Sequence, residues 1–316
     1  MRSTASIGVV VLFLLSVGLA KADPGANERE ASASTQMGER EITIRAEKVA
    51  PGIFFLHSGA GGNMALCIGE DGAFLVDDQY APLTDAIRQV IAQLSEEPVR
   101  FVLNTHWHAD HTGGNENLGE LGTVIVAHDN VRARMSSEQF STFWQRSTEA
   151  SAASSLPVVT FSDTLTFHMN GMTIRALHVS GAHTDGDAVV HFPEANVIHM
   201  GDILFHQWYP YIDVSAGGSV RGTIAAVDAI LPMIDEETVV IPGHGATITD
   251  RSGLIAYRDM LEAVADRIQK LVDEGRSLEE VQAARPTAPW DEVWGQNFMS
   301  PERFVRLVYG DLTDTL

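Results

Sequence analysis

The feature that most constrains this chain is a cluster of histidines that directly follows an apolar segment. Residues 99–115 read VRFVLNTHWHADHTGGN, and they contain three of the chain's 12 histidines. The apolar part predicts a short buried strand, and the Gly-Gly pair near the end predicts a bend after it. The cluster of His106, His108, Asp110 and His111 is therefore expected in a loop at one edge of a sheet.

The spacing of these residues indicates a metal site. In extended backbone His106 and His108 project to the same side, so both can bind one ion. Asp110 and His111 lie farther along the loop and can reach a second ion, as two-metal hydrolases require. Imidazole and carboxylate ligands without thiolate favour two catalytic Zn²⁺ ions, and Fe or Mn would accept the same ligands.

Two other interpretations of the cluster are weaker. Covalent catalysis would need a nucleophile on a sharp turn beside a histidine, and the sequence has no G-x-S-x-G segment. Histidines that only fill a core usually occur singly on an apolar face, whereas these follow a strand end. The lone cysteine, Cys67, lies in the alternating segment NMALCIG and is predicted to be an inert core thiol.

A metal site in one loop needs further ligands from elsewhere in the fold. The sequence offers His183 in SGAHTDGD, Asp202 in HMGDILF and His244 in IPGHG. Each follows an apolar segment and is flanked by glycine, which allows the backbone to approach a crowded metal centre.

The remaining segments predict an α/β fold. Asn170-Gly171 lies between two alternating runs, which is a strong hairpin signal. Apolar residues recur at helical spacing in PLTDAIRQVIAQLSEE and in the long segment 254–275. Strands and helices alternate in two halves without a linker, which favours two packed sheets covered by helices.

The ordered motifs resemble those of the metallo-β-lactamase superfamily. They begin with the H-x-H-x-D-H pattern of residues 106–111 and continue through GAHTDGD, MGDILF and PGHG, and the resemblance covers roughly residues 41–275. It implies a four-layer αβ/βα sandwich with a dinuclear site at the edge between the two sheets.

The resemblance also implies a role for each candidate residue. One metal ion would be bound by His106, His108 and His183. The other would be bound by Asp110, His111 and His244. Asp202 would bridge the two ions, Asp110 would orient the nucleophilic water, and Asp77 in AFLVDDQ would support the metal-binding loop.

The function that the resemblance implies is hydrolysis, in which hydroxide generated at the metal pair attacks a carbonyl. A β-lactam-type cyclic amide is the leading substrate. Secreted lactamases of this family carry cysteine where this chain has Asp202, and they carry a nearby lysine that the segment DILFHQWYP lacks. An aspartate at this position resembles the ligand pattern of glyoxalase II and the lactonases. Lactone, ester or thioester hydrolysis is therefore one alternative, and an iron-dependent sulfur dioxygenase is another.

The N-terminus predicts export. Arg2 precedes the apolar run IGVVVLFLLSVGLA, which ends in the small-x-small pattern Ala20-Lys21-Ala22. Residues 1–22 are predicted to be a signal peptide, 23–40 a flexible lead-in, and 41–316 a single domain with a C-terminal helical segment. The protein would be periplasmic or secreted, without a membrane anchor after cleavage.

Composition restricts the partners. The formal net charge of −21 argues against nucleic-acid binding, which needs clustered Lys and Arg. A small-molecule substrate is expected instead.

Two segments are candidates for substrate contact. FHQWYPYIDVSAGGS (residues 205–219) supplies His206, Trp208, Tyr209 and Tyr211 as possible contacts, although aromatic packing beneath a loop explains the aromatic residues equally well. Residues 136–154 are polar enough to form a mobile flap over the site.

Overall fold

A computed structural model describes residues 30–316 of the protein. The strands of this part are β1 (Ala31–Met37), β2 (Arg40–Ala50), β3 (Ile53–His57), β4 (Met64–Cys67), β5 (Ala73–Val76), β6 (Val99–Asn104), β7 (Val124–His128), β8 (Gln139–Ser141), β9 (Arg146–Thr148), β10 (Val159–Phe161), β11 (Thr164–Met169), β12 (Met172–His178), β13 (Ala188–Phe192), β14 (Val197–His199) and β15 (Val239–Ile241). The helices are α1 (Thr84–Leu94), α2 (Ala109–Thr112), α3 (Asn115–Gly119), α4 (Asp129–Met135), α5 (Val220–Ile230), α6 (Arg251–Asp273), α7 (Leu278–Ala283), α8 (Asp291–Trp294) and α9 (Pro301–Leu312).

The strands form two large sheets and one hairpin. The first sheet has the order β1-β2-β3-β4-β5-β6-β7-β10, the second has the order β11-β12-β13-β14-β15, and β8 pairs with β9 alone. Strands β5, β6, β7 and β10 are parallel neighbours, as are β14 and β15 in the second sheet. Parallel neighbours end at the same edge of a sheet, so the loops that follow them lie together.

The two sheets bury an apolar layer between them. The first sheet contributes Phe55, Phe74 and Val126, and the second contributes Ile174 and Val190. Cys67 lies in the same layer and is fully buried, which confirms the prediction of a core thiol.

Helices cover the outer face of each sheet. Helix α1 packs Ile87, Val90 and Ile91 onto the first sheet, where they meet Ile44 and Leu75. On the second sheet α5, α6 and α9 form the outer layer. Their buried side chains include Val227, Tyr257, Leu261, Phe304 and Leu307. The order helix, sheet, sheet, helix confirms the predicted four-layer αβ/βα sandwich.

The predicted flexible lead-in over residues 23–40 differs from the structure in part. Residues 31–37 form β1, which pairs antiparallel with β2 from Ala31–Ala46 to Met37–Arg40. The small side chains of this segment suggested a polar coil. In the structure Ala31 and Ala33 face α1, and β1 adds one strand to the first sheet. The predicted signal peptide and residues 23–29 lie outside the described residues.

The C-terminal segment is helical, as the sequence predicts. Trp294 is buried against α6, and Asp311 in α9 accepts a hydrogen bond from the Val220 amide at the start of α5. Among residues 30–316, no helix combines the length and the apolar character that crossing a bilayer requires.

Candidate metal centre

The predicted ligands meet at one end of the sandwich, between the two sheets. All seven lie after strands or in the loops next to them: His106 and His108 after β6, Asp110 and His111 in α2, His183 between β12 and β13, Asp202 after β14, and His244 after β15. This set of seven residues is called the ligand cluster below. It contains residues from both halves of the chain, which only the folded sandwich brings together.

One group of donors is formed by three histidines and Asp202. The Nδ1 atom of His108 lies 3.0 Å from Nε2 of His106 and 2.9 Å from Nε2 of His183. The Oδ2 atom of Asp202 lies 3.7 Å from His106 Nε2 and 3.6 Å from His183 Nε2. One donor atom of each residue lies within 4.8 Å of the others, which is close enough for one shared ion.

A second group of donors adjoins the first. Nε2 of His244 lies 3.3 Å from Asp110 Oδ2 and 3.5 Å from His111 Nε2. Asp202 also reaches this group, because its Oδ1 lies 3.2 Å from His111 Nε2 and its Oδ2 lies 3.2 Å from His244 Nε2. Asp202 therefore stands between the two groups, at the position that the sequence predicts for a bridging ligand.

Asp77 connects the end of β5 to the cluster. Its Oδ1 accepts from the Thr105 amide at 2.7 Å, and its Oδ2 accepts from the Thr105 hydroxyl at 2.8 Å and lies 2.8 Å from His111 Nδ1. The residue is fully buried and has a φ of 61°, an uncommon conformation for a non-glycine residue. These contacts place Asp77 in the supporting position that the sequence predicts.

Three further supports for the ligands are absent from the sequence-based prediction. Asp213 Oδ2 lies 3.0 Å from His108 Nε2, and the Tyr211 carbonyl oxygen lies 2.9 Å from His183 Nδ1. Asp187 accepts from the His183 and Thr184 amides and so fixes the loop that carries His183. The acidic residues of GAHTDGD and YIDVS were the available signal, but sequence gives no means to tell a supporting carboxylate from a solvated one.

The hydrogen bonds fix which nitrogen of each histidine faces the centre. The Thr105 hydroxyl donates to Asp77, so it can only accept from Nδ1 of His106. Nδ1 of His183 donates to a carbonyl oxygen, and Nε2 of His108 donates to the Asp213 carboxylate.

In neutral rings this leaves three nitrogen lone pairs that face one another at about 3 Å, an arrangement that a bound cation stabilises. The buried Asp202 Oδ1 also lacks a hydrogen-bond donor among the described residues. The donor set therefore fits a divalent cation.

The electrostatics of the two groups differ. Burial lowers the pKa of His106 well below its usual value and that of His183 to about 4, so both rings are neutral. Burial would also lower the pKa of His244, but the carboxylates of Asp202 and Asp110 outweigh it and raise this pKa to about 9. The same carboxylates raise the pKa of His111. The carboxylates of the second group therefore favour positive charge there, whether it is a proton on an imidazole or a bound cation.

A cavity of about 500 Å³ opens onto the cluster. His108, Asp110, Asp202 and His244 lie at its base. Its walls are largely aromatic and consist of Tyr80, Trp107, Trp144, Phe205, Trp208, Tyr211 and Phe298. Such a cavity fits a small organic molecule with an apolar or aromatic part.

The structure separates the predicted substrate contacts into two pairs. Trp208 and Tyr211 line the cavity, as the sequence predicts. Tyr209 does not: it is fully buried, stacks on Phe304, and donates its hydroxyl hydrogen bond toward Thr287 and Asp291. This corrects the prediction for Tyr209, whose ring packs in the core and does not line the cavity.

His206 also differs from the prediction of a substrate contact. It is absent from the residues that line the cavity, and its backbone amide donates to the His244 carbonyl at 2.8 Å. His206 therefore acts through its main chain, where it fixes the loop that carries a ligand.

The segment predicted as a flap is the β8–β9 hairpin, and it does lie over the site. Ser141, Trp144, Arg146 and Thr148 line the cavity. Phe143 at the tip is only 5% exposed and packs under Arg306, whose guanidinium carbon lies 4.1 Å from the ring centroid. The tip is thus anchored to α9, and its mobility stays a prediction.

Comparison with known proteins places the chain in a family. The family model described as the metallo-beta-lactamase superfamily matches residues 58–266. The match spans the whole ligand cluster, the second sheet and the strands of the first sheet from β4 onward. The chain belongs to the metallo-beta-lactamase superfamily, whose members are metallo-hydrolases, which confirms the resemblance in the sequence.

Individual relatives are distant. The chain is 27% identical over 147 residues to a hydroxyacylglutathione hydrolase of Erythrobacter litoralis, which is 44% of this chain and half of that relative's length. It is 25% identical over 190 residues to a metallo-beta-lactamase type 2 of Bacteroides fragilis, covering 58% of this chain and 68% of the relative. The DIM-1 metallo-beta-lactamase structure superposes with a TM-score of 0.55 at 21% identity, covering 69% of this chain and 97% of that one, and this supports the fold.

Proposed function

We propose that this protein is a dinuclear metal-dependent hydrolase that cleaves a carbonyl compound of small size. The observation that carries the proposal is the position of Asp202, whose two oxygens lie 3.2 Å from a histidine nitrogen of the second group while Oδ2 also faces the first group. Asp202 would therefore help to hold both ions, and two bound ions would supply the hydrolytic chemistry. Two Zn²⁺ ions are the proposed cofactors, because the donor set contains imidazole and carboxylate but no thiolate.

The residues around the site divide the work of hydrolysis. Two bound divalent ions would supply a water that deprotonates near neutral pH and would polarise a carbonyl oxygen. Asp110 borders the cavity, and its Oδ2 lies 3.3 Å from His244 and 3.7 Å from His111, so it can accept a hydrogen bond from the attacking water and orient it. Tyr80 stays a neutral hydrogen-bond donor, since burial raises its pKa to about 12.

The leading substrate class is a β-lactam-type cyclic amide. The cavity is open to solvent, and its aromatic walls fit a compact ring system with an apolar substituent. A metallo-beta-lactamase is also among the relatives.

A second candidate is hydrolysis of a lactone, ester or thioester. Asp202 favours this candidate, because secreted lactamases of the family have cysteine at the corresponding position. The similarity to a hydroxyacylglutathione hydrolase points to the same bond type.

We also propose that the protein is exported to the periplasm or beyond the cell. The support is the sequence of residues 1–22 alone, with its basic start, apolar run and small-x-small end. N-terminal sequencing of the protein from its native host tests this proposal, and a mature chain that begins at Asp23 is the expected result.

Metal content and activity, measured on the same preparation, test the catalytic proposal. We expect about two zinc ions per chain and hydrolysis of a chromogenic cephalosporin that chelation abolishes and added zinc restores. His108→Ala is expected to lose both metal and activity. His168→Ala, an exposed position on β11, is the matched control and is expected to keep both.

The other outcomes discriminate the alternatives. Two zinc ions with turnover of lactones or thioesters but not of the cephalosporin would select the second candidate. One iron per chain with oxygen uptake would overturn the hydrolase proposal in favour of a sulfur dioxygenase.

A further inference from the structure

The β8–β9 hairpin places one basic side chain in the wall of the cavity. Arg146 is the first residue of β9 and pairs with Ser141 of β8, which also faces the cavity. Every other charged or titratable side chain in the lining is a histidine, an aspartate or a tyrosine. Arg146 is thus the single arginine or lysine among the described residues that line the site.

Two more arginines lie beside the hairpin. Arg303 lies with its guanidinium carbon 6.0 Å from the Trp144 ring, and Arg306 lies under Phe143. Their polar contacts are with carbonyl oxygens, since Arg303 donates to Phe298 at 2.8 Å and Arg306 donates to Phe143 at 3.2 Å. Arg303 therefore lies beside Trp144, a residue of the cavity wall, but neither Arg303 nor Arg306 lines the cavity itself.

Among the described residues these arginines form no ion pair with a carboxylate, whereas several other arginines of the fold do. Arg134 forms two 2.7 Å hydrogen bonds with Asp185, and Arg221, Arg251 and Arg258 each pair with a carboxylate. Within residues 30–316, Arg146, Arg303 and Arg306 form no such ion pair. No direct carboxylate contact within the described chain therefore neutralises Arg146, the arginine that lines the cavity.

Tyr80 does not neutralise this charge. Its ring lines the cavity with Arg146, but burial raises its pKa to about 12, so the phenol carries no negative charge at neutral pH. The carboxylates at the base of the cavity face histidines of the ligand cluster. The guanidinium group of Arg146 is thus available for an anion that enters from solvent.

From these contacts we propose that Arg146 determines specificity by binding an anionic group of the substrate, a carboxylate or sulfonate remote from the bond that is cleaved. A planar guanidinium binds such a group with two parallel hydrogen bonds. Arg303, beside Trp144, adds positive potential behind the cavity wall, and the aromatic walls hold the body of the substrate. The proposal rests on the proposed function, because it names the substrate class of that site.

The test compares an anionic ester with a neutral one on the zinc-loaded protein. The two substrates are the mono-p-nitrophenyl ester of glutaric acid and p-nitrophenyl pentanoate, which have the same leaving group and similar length. For Arg146→Gln we expect kcat/KM to fall about 10-fold with the anionic ester and less than about 2-fold with the neutral one, because only the former loses a charge-assisted pair. Arg146→Lys keeps the charge, and its kcat/KM with the anionic ester is expected to lie between those of the wild type and Arg146→Gln.

A matched control separates local recognition from net charge. Arg88→Gln removes one positive charge from α1, on the far side of the first sheet, and is expected to leave both esters unaffected. The proposal would be overturned if Arg146→Gln lowered kcat/KM equally for both esters. It would also be overturned if Arg88→Gln lowered kcat/KM for the anionic ester as much as Arg146→Gln does. Salt should reduce the preference for the anionic ester in the wild type, since screening weakens the attraction.

A binding measurement keeps the proposal testable if neither ester is hydrolysed. Isothermal titration calorimetry with phthalate and with its neutral dimethyl ester reports affinity without turnover. We expect phthalate to bind wild type about 10-fold more tightly than Arg146→Gln. Equal affinities would overturn the inference, whereas a difference without turnover of any substrate would count against the proposed function alone.

Discussion

The ligand cluster and the β8–β9 hairpin are two sides of one cavity, and they are built in opposite ways. In the cluster nearly every polar atom is buried and held by a second residue, as in the contacts of Asp77 with Thr105 and His111. In the hairpin most residues are partly or fully exposed, and Phe143 provides the main buried contact.

The difference separates chemistry from selection. Burial and hydrogen bonds hold the metal ligands in one arrangement, because small displacements change metal geometry and reactivity. The hairpin contributes no ligand and can vary without disturbing that arrangement. Loss of a cluster residue should therefore abolish activity on all substrates, whereas changes in the hairpin should alter preference.

The largest expected effect is that of Asp202→Asn. Asparagine keeps the shape but removes the charge that faces four histidines, so kcat should fall by more than the roughly 100-fold typical of groups that merely support a ligand. Zinc content and kcat are the measurements. Asp228→Asn on the exposed side of α5 is the control, and near-normal activity of Asp202→Asn would contradict the bridging role.

Removal of metal should destabilise the ligand cluster, whereas the hairpin, which contributes no ligand, should not be affected directly. A ligand at 100 times its dissociation constant stabilises the folded state by about 2.7 kcal/mol, so chelation is expected to lower the melting temperature by several degrees. Differential scanning calorimetry with and without chelator measures this. An unchanged melting temperature in a protein shown to lose its zinc would refute the coupling.

Asp213→Asn is expected to have an intermediate effect. The amide oxygen can still accept from His108 Nε2, but the charge that strengthens this contact is lost, so zinc affinity should fall about 10-fold. Competition with a fluorescent chelator measures the affinity. Asp235→Asn, which removes an equally hydrogen-bonded carboxylate away from the cluster, should leave zinc affinity unchanged.

The smallest effect is expected from Phe143→Ala. Loss of the buried ring should free the hairpin tip, raise KM by a few-fold and leave metal content unchanged. Hydrogen exchange should become faster in residues 139–148 while β6 keeps its protection. Loss of zinc in this variant would mean that the hairpin and the cluster are not independent.

The sequence predicted the cluster because its signals are local. Histidine, aspartate and glycine stand directly after apolar strands at several points of the chain, and each strand end can be recognised from its own neighbours. The fold class followed from the same alternation. Asp213 and Arg146 carry no such signal, since their roles depend on contacts with residues that are distant in sequence, such as His108.

Two errors have specific physical reasons. Trp208 and Tyr209 are adjacent and both aromatic, yet only the first faces the cavity, because Tyr209 is held in the core by Phe304, Thr287 and Asp291, which are distant in sequence. In β1 the inward residues are Ala31, Ala33, Thr35 and Met37, so the alternation was hidden by small and polar side chains that usually indicate a coil.

The wide separation of the ligands along the chain has a consequence for how the two halves of the sandwich stay joined. His108 and His183 are 75 positions apart, and His111 and His244 are 133 positions apart. With a single cysteine the chain forms no internal disulfide. Bound ions would therefore act as cross-links between the two halves, closing long loops and reducing the entropy of the unfolded chain much as disulfides do in secreted proteins.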